Sequence, residues 1–167
     1  MGKGFDIVDM DSVDIKLAKL IGYKKVYTRN EIRVTEDQEY EGRCIFLGRE
    51  PGTLGKALRR NNVDGIIIFD NELIRQTVEE CRDNEKTLFI DISSLVVPEQ
   101  KQRLRNIHRA RFLIRFALRN RTKIALVSLA KDETGMLSSM QMLAFARFLG
   151  INDKNSEKIF YNEGMMH

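Results

Sequence analysis

Three short runs constrain this chain more than anything else in it: Asp64–Phe69 (DGIIIF), Thr87–Ile92 (TLFIDI) and Lys123–Leu129 (KIALVSL). Each packs apolar and β-branched residues into the length of one strand, the pattern of a strand buried within a parallel sheet. Segments of helical period lie between them, and parallel strands need such crossovers. The alternation extends to the rest of the chain. Phe5–Asp11 is predicted as a strand, and Asp14–Leu20 as a helix capped by Asp11 or Ser12 and closed by Gly22. Lys25–Thr28 and Arg43–Leu47 read as strands, and residues 29–42 as a loop or a poor element. A helix is expected from Pro51 or Thr53, a second from Asp70 or Asn71 to about Arg82, and a third over 138–149, stopped by Gly150. Ser156–Tyr161 reads as a short last strand. Six or seven strands alternating with helices predict an α/β fold, mostly parallel, with helices outside. A shortened or incomplete TIM-like barrel and an open doubly wound sheet both fit. In either, functional groups gather at the C-terminal strand ends. A length of 167 residues predicts a single domain over 1–167.

One predicted helix differs from the others. Glu99–Lys123 (EQKQRLRNIHRARFLIRFALRNRTK) holds nine basic residues against one acid. At helical spacing Ile107, Ala110, Leu113, Ile114, Ala117 and Leu118 share one side. Arg105, Arg109, Arg115 and Arg119 fall opposite, with Arg111 at the edge and Phe112 within the basic arc. Residues 99–131 sum to +9, whereas the rest of the chain sums to −5, within a net charge of +4. Local positive charge on an otherwise acidic protein points to an anionic partner. Few acids stand at i±4 to neutralise it, which favours nucleic acid over a merely solvated face. Cations at a helix C-terminus are favoured by its dipole, but that accounts for only part of the charge.

Composition excludes several classes. No run of about 18 apolar residues exists, so no membrane span is expected. The opening MGKGFDIVDMDSVD has no signal-peptide core, and a cytoplasmic location is expected. Cys44 and Cys81 form no CxxC and read as reduced thiols rather than a disulfide or zinc framework.

Other constellations are weaker. Asp9, Asp11, Asp70 and Asp91 stand at or near strand ends, where a metal phosphoesterase would keep carboxylates. Such a site would usually also want histidines, and the chain has only His108 and His167. Helix capping and strand hydrogen bonds explain these aspartates more simply. The stretch GREPGTLGKA imitates a phosphate loop, but Glu50 and Ala57 break the Walker spacing. Ser128 and Lys131 form a possible Ser–Lys pair with no third group, and backbone or phosphate contact suits them better.

The second half of the chain resembles a known family. TLFIDISSLV, the arginine-rich helix RLRNIHRARFLIRFALRNRTKIALVSLA and SSMQMLAFARFLGI are similar in order and spacing to the archaeal ribonuclease P protein component 3. FDIVDMDSVDIKLAKLIGYKKV looks like that family's opening strand and helix. The region 28–86 is shorter than the family pattern by one or two βα units, and Val127–Lys131 replaces its usual polar strand-end motif. The resemblance implies a TIM-like barrel related to metal hydrolases but without their metal histidines. It implies a non-catalytic, RNA-binding subunit of ribonuclease P, the ribonucleoprotein endonuclease of precursor-tRNA processing. The RNA would perform the magnesium-dependent hydrolysis, and this chain would carry no cofactor and no catalytic residue. A second protein subunit, of ferredoxin-like fold, would be its partner.

The expected RNA contacts are therefore Arg103, Arg105, Arg109, Arg111, Arg115, Arg119, Arg121, Lys123 and Lys131. Phe112 and Phe116, with Leu113, are expected to face a protein partner, although Phe112 also suits a base. Two rivals remain at the level of sequence: a barrel phosphoesterase using Asp11, Asp70 and Asp91, and a module that binds protein only.

Overall fold

The computed structural model describes residues 4–68 and 74–152. Within them the order is β1 (Phe5–Ile7), α1 (Ile15–Leu20), β2 (Lys25–Tyr27), β3 (Arg33–Thr35), β4 (Cys44–Gly48) and α2 (Pro51–Leu58). Then follow β5 (Val63–Ile68), α3 (Ile74–Asp83), β6 (Thr87–Asp91), α4 (Gln100–Arg119), β7 (Lys123–Val127) and α5 (Ser139–Phe148). The expected strand at Ser156–Tyr161 and the expected cap at Asp70 or Asn71 lie outside the described residues.

Strands β3-β4-β5-β6-β7 form one sheet, parallel throughout and in chain order, and β1 pairs with β2 in parallel. The pair docks on the free side of β7. Leu129 N–H donates to the Ile7 carbonyl at 3.0 Å, and Asp9 N–H donates to the Ala130 carbonyl at 2.8 Å. The resulting order is β2-β1-β7-β6-β5-β4-β3.

Two apolar layers reveal how far this array curls. Phe5, Ile7, Tyr27, Val34, Ile45, Leu47, Ile67, Phe89, Ala125 and Val127 form one cluster, to which every strand contributes. An interior shared by all strands is the mark of a barrel rather than an open sheet. The opposite strand faces, with Phe46, Ile66, Leu88, Ile90, Ile124 and Leu126, pack against the apolar sides of α2, α3, α4 and α5. No ladder joins β2 to β3 among the described residues. The fold is therefore a shortened TIM-like α/β barrel, hydrogen-bonded around most of its circumference and interrupted at the β2/β3 seam.

Most elements stand where their periodicity puts them. Asp14, rather than Asp11 or Ser12, caps α1, its side chain accepting from Lys16 N–H. β3 falls within residues 29–42, which the sequence marks as a loop or a poor element. It has only three residues and one strand neighbour, too few for a period to register. Gly65 permits the tight β5–β6 pairing, since a Cβ there would stand 1.9 Å from the Thr87 carbonyl oxygen.

Candidate nucleic-acid interface

Helix α4 runs over 20 residues, about 30 Å at the usual rise, so it spans the height of the barrel wall. Its apolar stripe docks as predicted: Ala110, Leu113, Ile114 and Ala117 are buried, and Ile107 and Leu118 pack at the margins. Glu99 precedes the first turn without a side-chain cap. At the other end Arg121 takes the left-handed region at φ +60°. Arg121 N–H reaches the Leu118 carbonyl and Thr122 N–H the Ala117 carbonyl, so a Schellman closure turns the chain into β7.

The outward face carries Lys101, Arg105, His108, Phe112, Arg115 and Arg119, all exposed. No carboxylate among the described residues pairs with Arg105, Arg115 or Arg119. Arg103 is exposed near the start and touches the Pro98 carbonyl at 3.4 Å. Arg121 is exposed and Lys123 partly covered, at the N-terminal rim of the strands, whereas Lys131 is exposed beyond the C-terminal end of β7. Arg105, Arg115 and Arg119 therefore line the outer face of α4, with Arg103 and Arg121 at its two ends.

Two of the predicted arginines leave that stripe. Arg109 sits on the flank beside Leu113, partly buried, and lines a cleft of about 410 Å³ at the C-terminal ends of β5 and β6. Asp91, Ser94, Gln102 and Asn106 share the cleft. Three of these residues are linked to one another: Asn106 Nδ2 donates to the Ser94 carbonyl at 2.6 Å, and Gln102 Nε2 to Asn106 Oδ1 at 2.8 Å. Arg111 lies at the helix edge and crosses to α5. Its Nη2 donates to the Phe148 carbonyl at 2.7 Å, and its guanidinium covers the Phe148 ring at 4.8 Å. Arg111 thus ties two helices together.

The aromatic residues also divide. Phe112 is 59% exposed, whereas Leu113 is buried and Phe116 half-buried against the core. The Phe112 and Phe116 rings lie nearly parallel, 8° apart in plane and 6.3 Å between centroids. Of the trio expected to face a partner, Phe112 alone is freely offered.

The strand-end carboxylates are occupied. Arg29 donates through Nε to Asp9 Oδ1 at 2.8 Å and lies 3.8 Å from Asp11. Asp91 Oδ1 accepts from the Ser93 N–H at 2.8 Å and hydroxyl at 2.7 Å. Burial raises the Asp91 carboxyl above its usual range, and the Ser93 bonds partly offset this. Asp70 and His167 lie outside the described residues. Ser128 is no nucleophile beside Lys131: it is buried, and its hydroxyl donates to Asp6 Oδ2 at 2.6 Å. The glycine-rich stretch after β4 forms α2 rather than a phosphate loop.

Asp6 escaped the sequence reading, because one acid in an alternating strand reads as the solvent side. It is instead fully buried, with Oδ1 accepting from Ile7 and Ser128 N–H groups at 2.8 Å each. Burial pushes its carboxyl up to about 7. It fastens β1 to β7.

The fold has a counterpart among solved structures. A chain of the cryo-EM structure of archaeal ribonuclease P with mature tRNA superposes with a TM-score of 0.66, over 93% of this chain and 76% of that one. The two sequences are 12% identical, so the likeness is one of fold. No protein-family model and no curated protein matches the sequence.

Proposed function

We propose that this chain is a protein subunit of ribonuclease P and that the exposed stripe of α4 is its RNA-binding face. The observation that carries the reading is the line of unpaired arginines, Arg105, Arg115 and Arg119, on a helix whose other side is fixed in the core. Charges held on a rigid wall present a constant spacing to a polyanion, and arginine offers bidentate contact to phosphate. The fold likeness to a ribonuclease P chain and the sequence resemblance both support placing that RNA in the tRNA-processing ribonucleoprotein.

In this reading the protein is not the catalyst. Magnesium and the hydrolytic chemistry belong to the RNA, and the chain stabilises the RNA together with a second protein subunit. Arg103, Arg121, Lys123 and Lys131 extend the contact toward both rims. Arg109 and Arg111 contribute through the cleft and the α5 contact rather than as free cations. The phosphoesterase rival loses support because Asp9 and Asp11 share Arg29 and Asp91 is held by Ser93.

Reconstitution tests the proposal. Adding the protein to a ribonuclease P RNA, with and without a partner subunit, is expected to raise precursor-tRNA cleavage or lower its magnesium requirement. Arg105→Ala with Arg115→Ala is expected to weaken RNA binding and flatten the slope of log K against log salt by about one to two units. Unchanged cleavage, binding and slope would sink the reading.

A further inference from the structure

Phe112 is the feature of α4 that a phosphate-binding face does not need. A benzyl side chain with 59% of its surface exposed gains little from burial. Yet it stands in the middle of the cationic stripe rather than at its margin. At helical spacing Arg105 lies two turns before it and Arg119 two turns after, roughly 10 Å away in each direction, and Arg115 lies one turn on. The ring is also held in a set orientation. The near-parallel Phe116, itself packed on the core, braces it from one side, leaving the remainder open.

We propose that α4 takes unpaired rather than duplex RNA, with one exposed base stacking on Phe112 while Arg105, Arg115 and Arg119 hold the neighbouring phosphates. The proposal rests on the RNA-binding reading above and narrows it. An A-form duplex keeps its base faces inside the stack and presents backbone and groove edges, so it has no use for an exposed ring. An unpaired base offers a π-face that any aromatic side chain can take, whatever the sequence. A protein partner could also cover Phe112 together with Leu104, 51% exposed two turns earlier, but Arg105, Arg115 and Arg119 share the helix face of the ring and pair with no carboxylate among the described residues, and that charge favours a polyanion over an apolar protein face.

The test uses the full chain and a short single-stranded oligoribonucleotide carrying 2-aminopurine, against the same strand in a duplex. The protein has no tryptophan, so the probe fluorescence reports only the RNA base. The wild type is expected to bind the single strand more tightly than the duplex and to quench the probe. Phe112→Leu keeps an apolar side chain but removes the ring, and is expected to lose the quenching and about tenfold in affinity. Phe112→Tyr, which keeps the ring and adds no tryptophan, is expected to retain both. The exposure of position 112 means these variants should fold, and unchanged thermal midpoints check this. Equal affinity for duplex and single strand, with Phe112→Leu binding like wild type, overturns the stacking proposal. If Arg105→Ala with Arg115→Ala still weakens binding in that case, RNA binding by α4 stands without stacking; if it too has no effect, both readings fall.

Discussion

Asp6 and Ser128 are 122 residues apart, and their contact closes the junction between β1 and β7. A buried carboxyl is tolerated there because it accepts two backbone N–H groups and a hydroxyl. Its titration should be visible in stability. The folded-state carboxyl lies at about 7, above the usual unfolded value near 4, so the folded protein binds more protons between those limits. The Asp6 contribution is therefore fully present below about pH 4, declines as pH rises, and levels off above about 7. Urea unfolding at a series of pH values should show this decline for the wild type relative to Asp6→Asn, in which position 6 no longer titrates. Asp64 and Asp91 are raised by burial in the same direction, so the comparison with the variant, not the raw wild-type curve, isolates Asp6. A wild-type profile parallel to that of the variant would contradict the assignment. Asp6→Ala, which strands the Ser128 donors, should lower stability by about 2 kcal/mol at pH 5.

At the scale of the element, α4 shows a cation where helix termination prefers glycine. Arg121 occupies the left-handed position of the Schellman closure, a conformation that costs a side-chain-bearing residue about 1 kcal/mol. Arg121→Gly is expected to stabilise the protein by about 0.5–1 kcal/mol while weakening RNA binding, which separates the two roles of the position. Equilibrium unfolding and an RNA titration on the same preparation test both halves. The division of the arginines predicts a second contrast. Arg111→Ala removes the bond and the ring contact to Phe148, so it should destabilise by about 1 kcal/mol, whereas Arg115→Ala leaves folding untouched. RNA titration should show the opposite ranking.

At the scale of the molecule, the barrel depends on close backbone pairing at its middle. Gly65→Ala would drive a Cβ against the Thr87 carbonyl and the Phe89 ring, forcing β5 and β6 apart. A loss of about 2–3 kcal/mol is expected, read as a lower urea midpoint with little change in slope. Among the described residues no helix is long and apolar enough to cross a membrane. The wall formed by α4 is rigid because four of its residues lock into the layer over β6 and β7. The proposed RNA face is therefore expected to bind without refolding.

Local period was legible from the sequence alone. The apolar runs that became β5, β6 and β7 and the docking stripe of α4 are set by residues within a few turns or strand positions of one another, so spacing reports them directly. The excess of arginine over acid on that helix was equally plain. β3 was not legible, because three residues with one neighbour carry no period. Nor was the fate of individual arginines. Arg109 turns into the cleft beside β6, and Arg111 reaches a carbonyl 37 residues away. The burial of Asp6, the curling of the seven described strands around one interior and the exposure of Phe112 on the arginine-bearing side of α4 belong to the same kind. Each depends on which distant segments meet, and only packing of the whole chain decides that.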